Sequence, residues 1–392
     1  MKTMRTPTVV LCLAALWYAL AGPGEPASAQ PAPGPSAAAR PARWYRGNTH
    51  AHTVRCGHAD SEPEAVARWY LDRGYHFLCL SEHNQFIDPA TVALPAGRRD
   101  DFILIPGQEI TGDRVHMTGL NVDRLVGHLA RGPNGRIIQA YTDFTRQVGG
   151  APIVNHPNFR WALSVSDIRP VRNCFLFELW NAHPDVNNEG DARRLSTEQM
   201  WDALLTDGMV IYGVSSDDTH EMKRLGRNRS NPGRGWVMVR APDLTPASIT
   251  DALDRGDFYA TSGVMLATIE LTGTTYRVAV DKAATEAEVA KPETIGELLR
   301  RRTVETGYQI EFVGPNGDVL AAVPGPEGAY HRDPAVAYFR ARVTFVTQVN
   351  GELRRYRAWT QPVFQDGRLE RVESENVRTG HAGTAPVPAA PR

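Results

Sequence analysis

Residues 62–83 read EPEAVARWYLDRGYHFLCLSEH and contain the repeating unit that decides the fold. Residues 62–72 carry apolar side chains at the spacing of an amphipathic helix, whereas residues 77–80 form a short apolar run typical of a buried strand. A histidine, His83, follows this strand within three residues. A helix, a strand and a polar residue at the end of the strand together form one unit of an α/β fold.

The same alternation continues on both sides of this unit, from about residue 44 to about residue 260. Further strands are predicted at 102–105, 115–122, 152–155, 175–180 and 209–214, and further helices at 136–148, 197–206 and 246–255. Strands that alternate with helices favour a parallel sheet with helices outside it, either open or closed into a barrel. We therefore predict an α/β domain over residues 43–263.

Beyond residue 263 the pattern changes to alternating polar and apolar residues. Strand-like segments at 265–271, 276–280, 308–313, 338–347 and 358–364 are separated by turn signals, such as GPNG at 314–317 and NG at 350–351. This pattern predicts a small antiparallel β-rich domain, either a sandwich or an incomplete one, over residues 264–375. The charged stretch at 281–302 is predicted to form a surface helix.

Both ends of the chain are predicted to lie outside these domains. Lys2 and Arg5 precede an apolar run at 9–21 and a small-residue site at 27–29, which is the pattern of an export signal cleaved after Ala29. An uncleaved membrane anchor is the alternative. Residues 30–42 are predicted to be a Pro/Ala linker and residues 376–392 a disordered tail. We expect a periplasmic or extracellular protein with no membrane span after cleavage.

Composition excludes two classes of protein. Lys and Arg number 43 against 44 Asp and Glu, so the net charge of −1 provides no basic excess for binding nucleic acid. Three cysteines remain after cleavage of the signal, which is too few for a disulfide framework. Two of them, Cys79 and Cys174, lie in apolar runs and are predicted to be buried thiols.

Histidines and carboxylates cluster within or just after the predicted strands. Residues two apart in a strand face the same side, so the pairs at 50 and 52 and at 218 and 220 can each bind one ion. Strand ends that converge on a common centre are what a metal site requires. The donors exceed what one ion can bind, so we predict two or three zinc, manganese or iron ions. The candidate ligands are His50, His52, His58, His83, Glu109, His116, His156, Asp218 and His220.

These motifs resemble the PHP family, which comprises polymerase and histidinol phosphatase domains. The similarity rests on GNTHAHT at 47–53, LSEHN at 80–84, PGQEI at 106–110, VNHP at 154–157 and SDDTH at 216–220. The chain is more narrowly similar to the exported CehA/McbA-type metallohydrolases, through GYHFL at 74–78, VHMTGLN at 115–121 and YRAWTQP at 356–362. The resemblance implies a distorted seven-stranded β/α barrel with a two- or three-metal site, usually hydrolysing phosphate esters.

The resemblance also implies roles for the candidate ligands, with Glu109 as the acid that bridges two ions. His50 and His52 match the first ligand pair, and His83 matches the histidine after the second strand. His116 and His156 match later ligands, and Asp218 and His220 match the final pair. One segment departs from the commonest pattern, because Cys56-Gly57-His58 stands where many relatives have Ser-Asp-Gly. His58 matches a ligand of some trinuclear members, and Asp60 is the alternative ligand of the third ion.

Four residues beside the ligands are candidates for catalytic or supporting roles. His183 follows the strand at 175–180 and is predicted to be either a substrate contact or an acid that protonates the leaving group. His183 and the metal ligand Asp218 are the candidate catalytic residues. Asp217 is predicted to support a ligating histidine, and Glu178 is a candidate for a similar role.

Three arginines near the ligand motifs are candidates for binding an anionic substrate. Arg227 and Arg229 belong to the basic run that follows the last ligand pair, and Arg160 follows His156 by four residues. A guanidinium binds phosphate oxygens with two parallel hydrogen bonds, so these side chains are predicted to form a clamp. A solvated loop is the alternative interpretation of the basic run.

The predicted reaction is hydrolysis of an ester in a small-molecule substrate, most directly a phosphoester, by a metal-activated hydroxide. The sequence has no Gly-x-Ser-x-Gly motif and no cysteine in an evident catalytic setting, which argues against a covalent intermediate. A carbamate or carboxylic ester hydrolase with the same centre is the alternative. The third interpretation is an exported, non-catalytic binding module that contains metal. The sequence indicates no oligomeric state.

Overall fold

The computed structural model describes residues 41–125, 130–300 and 304–372. The predicted export signal, nearly all of the predicted linker and the tail predicted at 376–392 lie outside these residues. Within the described residues, no helix is both long enough and apolar enough to cross a membrane.

The helices predicted from amphipathic spacing are present, and their ends have physical causes. α1 begins at Pro63, where the missing N–H group would have no helical partner in any case. α4 is preceded by Ser196, whose side chain accepts a hydrogen bond from the backbone of Gln199 in a capping box. The six α-helices of the described residues are α1 (Pro63–Asp72), α2 (Asn134–Gln147), α3 (Val165–Ile168), α4 (Thr197–Thr206), α5 (Pro246–Asp254) and α6 (Lys282–Val289).

Nineteen strands accompany these helices in the described residues, so the fold is mixed α/β. The strands are β1 (Arg43–Asn48), β2 (Phe77–Cys79), β3 (Ile103–Ile105), β4 (Gly107–Thr111), β5 (His116–Leu120), β6 (Ala151–Val154), β7 (Leu176–Asn181), β8 (Tyr212–Ser216), β9 (Trp236–Ala241), β10 (Phe258–Thr261), β11 (Leu266–Thr272), β12 (Thr275–Val280), β13 (Glu297–Leu298), β14 (Gly307–Val313), β15 (Val319–Pro324), β16 (Glu327–His331), β17 (Tyr338–Val349), β18 (Glu352–Thr360) and β19 (Val363–Phe364).

The strands form three sheets, and none of the three closes into a barrel among the described residues. The largest has the order β15-β14-β17-β18-β10-β9-β1-β2-β3, with β13 beside β18 and β19 beside β17. A second sheet has the order β4-β5-β6-β7-β8, and a third has the order β11-β12-β16. Two single bridges, Ala51 with Thr219 and His83 with Glu109, join the first sheet to the second. These bridges bring together the segments of the two sheets that carry the candidate ligands.

Strand direction agrees with the predicted parallel sheet only in part. β1, β2 and β3 are mutually parallel, as are β6, β7 and β8. In contrast, β5 is antiparallel to both β4 and β6. Residues 112–115 are the whole connection from β4 to β5, and a parallel crossover needs about a dozen residues or more. The reversal places the beginning of β5 at the same edge as the ends of the parallel strands.

A close approach between β1 and β2 requires a glycine just before the first ligand pair. Gly47 is opposite Phe77 in the parallel register of the two strands. A Cβ atom on Gly47 would lie 2.1 Å from Cζ of the Phe77 ring, which is a severe overlap. A residue with a side chain at position 47 would therefore push the strands apart and displace the segment at 50–52.

The antiparallel β-rich region predicted at the C-terminal side is present, and it continues the largest sheet. Its strand β18 pairs with β10, so the sheet runs without interruption across the boundary predicted at residue 263. Trp359 of β18 is buried, with its ring 5.9 Å from that of Trp180 on β7. The side chain of Gln361 bonds both backbone groups of Gly213 on β8. The C-terminal region thus contributes side chains to the packing of the α/β part.

Candidate metal centre

The backbone holds the first and last predicted ligand pairs side by side. The N–H group of Asp218 donates to the carbonyl of His50, and the N–H group of His52 donates to the carbonyl of Thr219. Asp218 has a φ of 49°, in the left-handed region that non-glycine residues rarely adopt. Such strained conformations concentrate at functional sites, where the surrounding structure maintains them.

Four donor side chains converge behind these backbone contacts. Nε2 of His50 lies 3.1 Å from Nε2 of His52. Oδ1 of Asp218 lies 3.4 Å from the first of these nitrogens and 3.3 Å from the second. The oxygens of Glu109 lie 3.6 Å and 3.7 Å from the same two nitrogens. Ligands about 2.0–2.1 Å from one tetrahedral zinc ion are about 3.3 Å apart, so this spacing fits a metal ion.

Glu109 is shared with a second group of potential ligands. Its Oε1 atom lies 3.3 Å from Nδ1 of His116 and 3.1 Å from Nε2 of His156. Asn155 donates a hydrogen bond of 2.9 Å to the same oxygen and fixes the orientation of the carboxylate. All of these residues are buried except His116, which is partly exposed. The structure therefore places Glu109 where a bridging acid would lie.

A third group consists of His58, His83 and His220, with one ring nitrogen of each within 4.8 Å of the others. Nδ1 of His58 lies 3.2 Å from the carbonyl of Cys56, and Nδ1 of His220 lies 3.1 Å from the carbonyl of Asp218. Because a carbonyl only accepts, both Nδ1 atoms carry a hydrogen, and the lone pairs lie on Nε2. The two rings are thereby set in the tautomer that can bind metal through Nε2.

Asp60, the alternative ligand for a third ion, is used elsewhere. Its carboxylate accepts hydrogen bonds from the backbone N–H groups of Met222 and Lys223 and from the hydroxyl of Ser61. These bonds lower the pKa of Asp60 although its partial burial opposes them. Asp60 therefore anchors the loop after His220 and is not among the three donors of the third group.

The charges of the site suit a cation. Burial alone would raise the pKa of Glu109, but the rings of His50 and His116 outweigh it and hold this pKa well below its usual value. The carboxylate is thus ionised. Burial, together with the nearby ring of His52, lowers the pKa of His220 to about 2, so this ring is neutral and keeps its lone pair. Burial alone would lower the pKa of His50 and of His52, but Asp218 and the neighbouring carboxylates outweigh it and hold both pKa values well above their usual range. Without metal these two rings are therefore protonated, and a divalent ion would have to displace their protons, because anionic carboxylates and neutral imidazoles are the forms that bind it.

Glu178 and Asp217, both predicted to support a ligand, have different roles. Oε1 of Glu178 lies 2.8 Å from Nδ1 of His50, which leaves Nε2 of that ring for metal. Asp217 accepts five hydrogen bonds, from the side chains of Asn48 and Tyr70 and from the backbone N–H groups of residues 233, 234 and 235. The prediction for Asp217 is wrong, because its oxygens are already used to fold the segment at 233–235.

His183 lies at the edge of the histidine cluster. Its ring centre is 5.7 Å from that of His220 and 6.2 Å from that of Phe159. The N–H group of Asp185 donates to Nδ1 of His183 over 3.2 Å. Burial lowers the pKa of His183 below its usual value. The ring is therefore neutral near pH 7, with its hydrogen on Nε2.

The structure separates the three candidate arginines. The guanidinium of Arg227 is 2.7 Å from a carboxylate oxygen of Glu352, and Arg229 pairs with Glu221. Both side chains already have anionic partners, so the predicted clamp is not preformed there. Arg160 lies over the ring of Phe159, with its guanidinium carbon 5.0 Å from the ring centre.

Sequence reasoning missed two residues that the structure brings to the site. Glu82 is fully buried, accepts the backbone N–H group of Thr53 over 2.8 Å, and has its second oxygen 3.9 Å from Nδ1 of His52. Cys56 forms a three-residue donor group with His52 and His220. Glu82 stands beside His83 in SEH, and Cys56 stands between His52 and His58 in HTVRCGH. These neighbours could have drawn attention to both residues, but sequence spacing does not show which way their side chains point.

Comparisons with known proteins add no assignment to this geometry. No family model matches the chain, and no curated protein matches it. The resemblance to the PHP family therefore stays a prediction that rests on short motifs. The contacts between buried histidines and carboxylates stand independently of it, and they show groups that are close enough to hold metal ions.

Proposed function

We propose that this chain is a metal-dependent hydrolase of the PHP type that acts on ester bonds, with phosphoric esters as the first substrate class. The observation that carries the proposal is the position of Glu109, whose carboxylate lies against two donor groups, one with His50 and His52 and one with His116 and His156. A carboxylate shared by two ligand groups is typical of a multinuclear hydrolytic centre. In this proposal the two bridged sheets correspond to the distorted barrel of the family.

Each donor group would hold one ion, and the first and second would share Glu109. The first comprises His50, His52, Glu109 and Asp218, the second comprises Glu109, His116 and His156, and the third comprises His58, His83 and His220. Zinc or manganese bound there would supply a hydroxide near neutral pH and stabilise negative charge on the reacting oxygens. The protein's part is to hold these donors in one orientation, as Glu178 does for His50.

His183 is suited to bind the substrate by donating a hydrogen bond. Because Nδ1 accepts from Asp185, the neutral ring presents an Nε2–H group. Its lowered pKa disfavours the imidazolium form that a general acid needs near pH 7. Of the two roles predicted for His183, the substrate contact is therefore the one that these observations support.

A second candidate, a carbamate or carboxylic ester hydrolase, is supported by the arginines. A phosphate clamp at Arg227 or Arg229 would first have to break an ion pair with Glu352 or Glu221. A neutral ester needs no such clamp. Arg160 lies beside the ring of Phe159, which in turn contacts the ring of His156. If the substrate is anionic, Arg160 is therefore the arginine that would bind it.

The test compares the full chain with a variant carrying His50→Ala and His52→Ala. Bound metal and turnover are measured with Zn²⁺ or Mn²⁺ on an aryl phosphate monoester, an aryl phosphate diester and an aryl carbamate. We expect the double variant to lose bound metal and all turnover, because it lacks two of the four donors around the first ion. A folded wild-type protein that binds fewer than two ions and hydrolyses none of the esters would support the binding-module interpretation instead.

Two single variants decide between the ester classes. Arg160→Ala should lower kcat/KM for a phosphate ester by about 10- to 100-fold, the value of one hydrogen bond between charged groups, and should leave carbamate hydrolysis unchanged. Arg227→Ala is the matched control, since its guanidinium pairs with Glu352. Efficient turnover of the carbamate alone, with no effect of Arg160→Ala, would establish the second candidate.

A further inference from the structure

Cys56 lies beside the donor groups in a short, well-anchored turn. The 3₁₀ turn Val54–Cys56 follows Thr53, whose carbonyl accepts the N–H group of Cys56 over 3.1 Å. The next residue, Gly57, has a φ of 83° and ends the turn. Sγ of Cys56 lies within 4.8 Å of a ring nitrogen of His52 and of a ring nitrogen of His220. The turn thus directs a thiol toward two imidazoles.

One of these imidazoles, that of His220, has a buried ring nitrogen that carries a lone pair. Nδ1 of His220 faces the carbonyl of Asp218, so the lone pair is on Nε2. Within the part of the chain that the structure describes, that Nε2 atom has no hydrogen-bond partner, although the residue is only 8% exposed. A buried polar atom left in this way is unfavourable unless something binds it. The environment of His220 alone thus indicates that a ligand binds at Nε2, without reference to Cys56.

The other two cysteines of the described residues have no such setting. Cys79 is fully buried in an apolar cluster with side chains such as Phe77 and Ile105. Sγ of Cys174 lies 3.7 Å from the carbonyls of Pro152 and Leu176, and burial raises the pKa of its thiol to about 11. Cys56 is only half-buried. It is the thiol of the described residues that combines solvent access with two neighbouring imidazoles.

We propose that Cys56 is a sulfur ligand of the metal centre, binding the same ion as His220 and biasing the centre toward Zn²⁺ over Mn²⁺. When the sulfur–metal bond forms, the thiol releases its proton to solvent and binds as the thiolate. Thiolates favour zinc, whereas manganese prefers oxygen ligands. The inference rests on the metal centre of the proposed function and does not depend on ester hydrolysis.

The test uses Co²⁺ bound to the full chain in place of the natural metal. A Co²⁺–thiolate bond gives a charge-transfer band in the near ultraviolet that imidazole and carboxylate ligands do not give. We expect this band in the wild-type protein, its loss in Cys56→Ser, and its retention in Cys174→Ala, the matched control. Competition between Zn²⁺ and Mn²⁺ is measured on the same proteins. The affinity for Zn²⁺ should fall at least about tenfold in Cys56→Ser, since the loss of a residue that only hydrogen-bonds a ligand already has an effect of that size. The affinity for Mn²⁺ should fall less, because manganese prefers oxygen ligands.

The outcomes distinguish failure of the sulfur ligand from failure of the metal centre. Wild-type protein that binds Co²⁺ without a thiolate band would overturn the role of Cys56 and leave the metal centre intact. The same conclusion would follow if Cys56→Ser kept the band. Failure of the wild-type protein to bind Co²⁺, Zn²⁺ or Mn²⁺ would overturn both the sulfur ligand and the metal centre. Circular dichroism of Cys56→Ser distinguishes loss of a ligand from loss of the fold.

Discussion

Glu178 is a buried carboxylate on β7 that connects three other segments of the site. It bonds Nδ1 of His50 over 2.8 Å, accepts the backbone N–H group of His156 over 2.7 Å, and accepts the hydroxyl of Ser216 over 2.5 Å. Burial alone would raise its pKa, but the facing ring of His50 outweighs burial and lowers it. One ionised side chain thus orients ligands from two of the donor groups.

We predict that Glu178→Gln weakens metal binding by about 10- to 100-fold, the usual effect of losing an outer partner of a ligating histidine. The amide has one oxygen where the carboxylate has two, so it cannot accept from both His50 and the backbone of His156. The dissociation constant is measured by chelator competition. Asp254→Asn is the control, because Asp254 is an equally buried acid that pairs with Arg146. Equal loss of affinity in both variants would mean that the effect is general destabilisation.

The connection between β7 and α4 is the element that carries His183. Asn188 bonds the carbonyl of Asn181 over 2.7 Å and folds the first half of this segment back onto β7. Glu189 extends from the segment and pairs with two arginines of β18. Its Oε2 atom is 2.8 Å from the guanidinium of Arg355, and its Oε1 atom is 2.5 Å from the guanidinium of Arg357. The β-rich region therefore holds a loop of the candidate site in place.

We predict that Glu189→Ala loosens the segment at 182–196 without unfolding the protein. The change removes the ion pairs to Arg355 and Arg357, so hydrogen exchange in this segment should accelerate while exchange in β7 and α4 stays slow. Exchange is followed by mass spectrometry of peptides. Glu352→Ala is the control, since Glu352 also pairs with two arginines, Arg227 and Arg354, but its own side chain is 42% exposed. Unchanged exchange at 182–196 would show that the backbone contacts alone hold the loop.

At the scale of the whole molecule, local patterns predicted many of the elements but not β4, β9 or β10, and long-range pairing decided their arrangement. Helix positions followed from apolar spacing, and the clustering of histidines at strand ends followed from strand order. The reversal of β5 and the pairing of β10 with β18 could not be predicted from local patterns, because both depend on contacts between distant segments. The roles of Glu178 and Asp217 were not separable for the same reason. Each is a buried acid near ligands, and only the folded chain shows that one faces His50 and the other faces Tyr70.

Glu198 forms ion pairs between α4 of the α/β part and β17 of the β-rich region. It lies in the first turn of α4, and one of its oxygens is 2.8 Å from Arg340 and 3.1 Å from Arg342 on β17. The indole N–H group of Trp359 donates to its other oxygen over 3.2 Å. Burial alone would raise the pKa of Glu198, but Arg340 and Arg342 outweigh it and lower the pKa to about 2.

This lowered pKa predicts a loss of stability in acid. A carboxyl group with a pKa near 4.5 in the unfolded chain and about 2 in the folded chain stabilises the fold above pH 4.5. The contribution is about 3 kcal/mol and is lost as the pH falls from 4.5 toward 2. We expect Glu198→Gln to lower the free energy of unfolding by about 3 kcal/mol at pH 7, and we expect the difference from wild type to shrink between pH 4.5 and pH 2.

Urea unfolding of both proteins at several pH values measures this difference, with chelator present so that release of metal in acid does not contribute. Asp202, the other carboxylate partner of Arg340, is kept in both proteins. The exposed residue Glu270 provides the control, because Glu270→Gln should stay within about 0.5 kcal/mol of wild type at each pH. A constant difference between wild type and Glu198→Gln from pH 7 to pH 3 would contradict the prediction. The stability would then come from the hydrogen bonds of Glu198, which glutamine loses at every pH, and not from its charge.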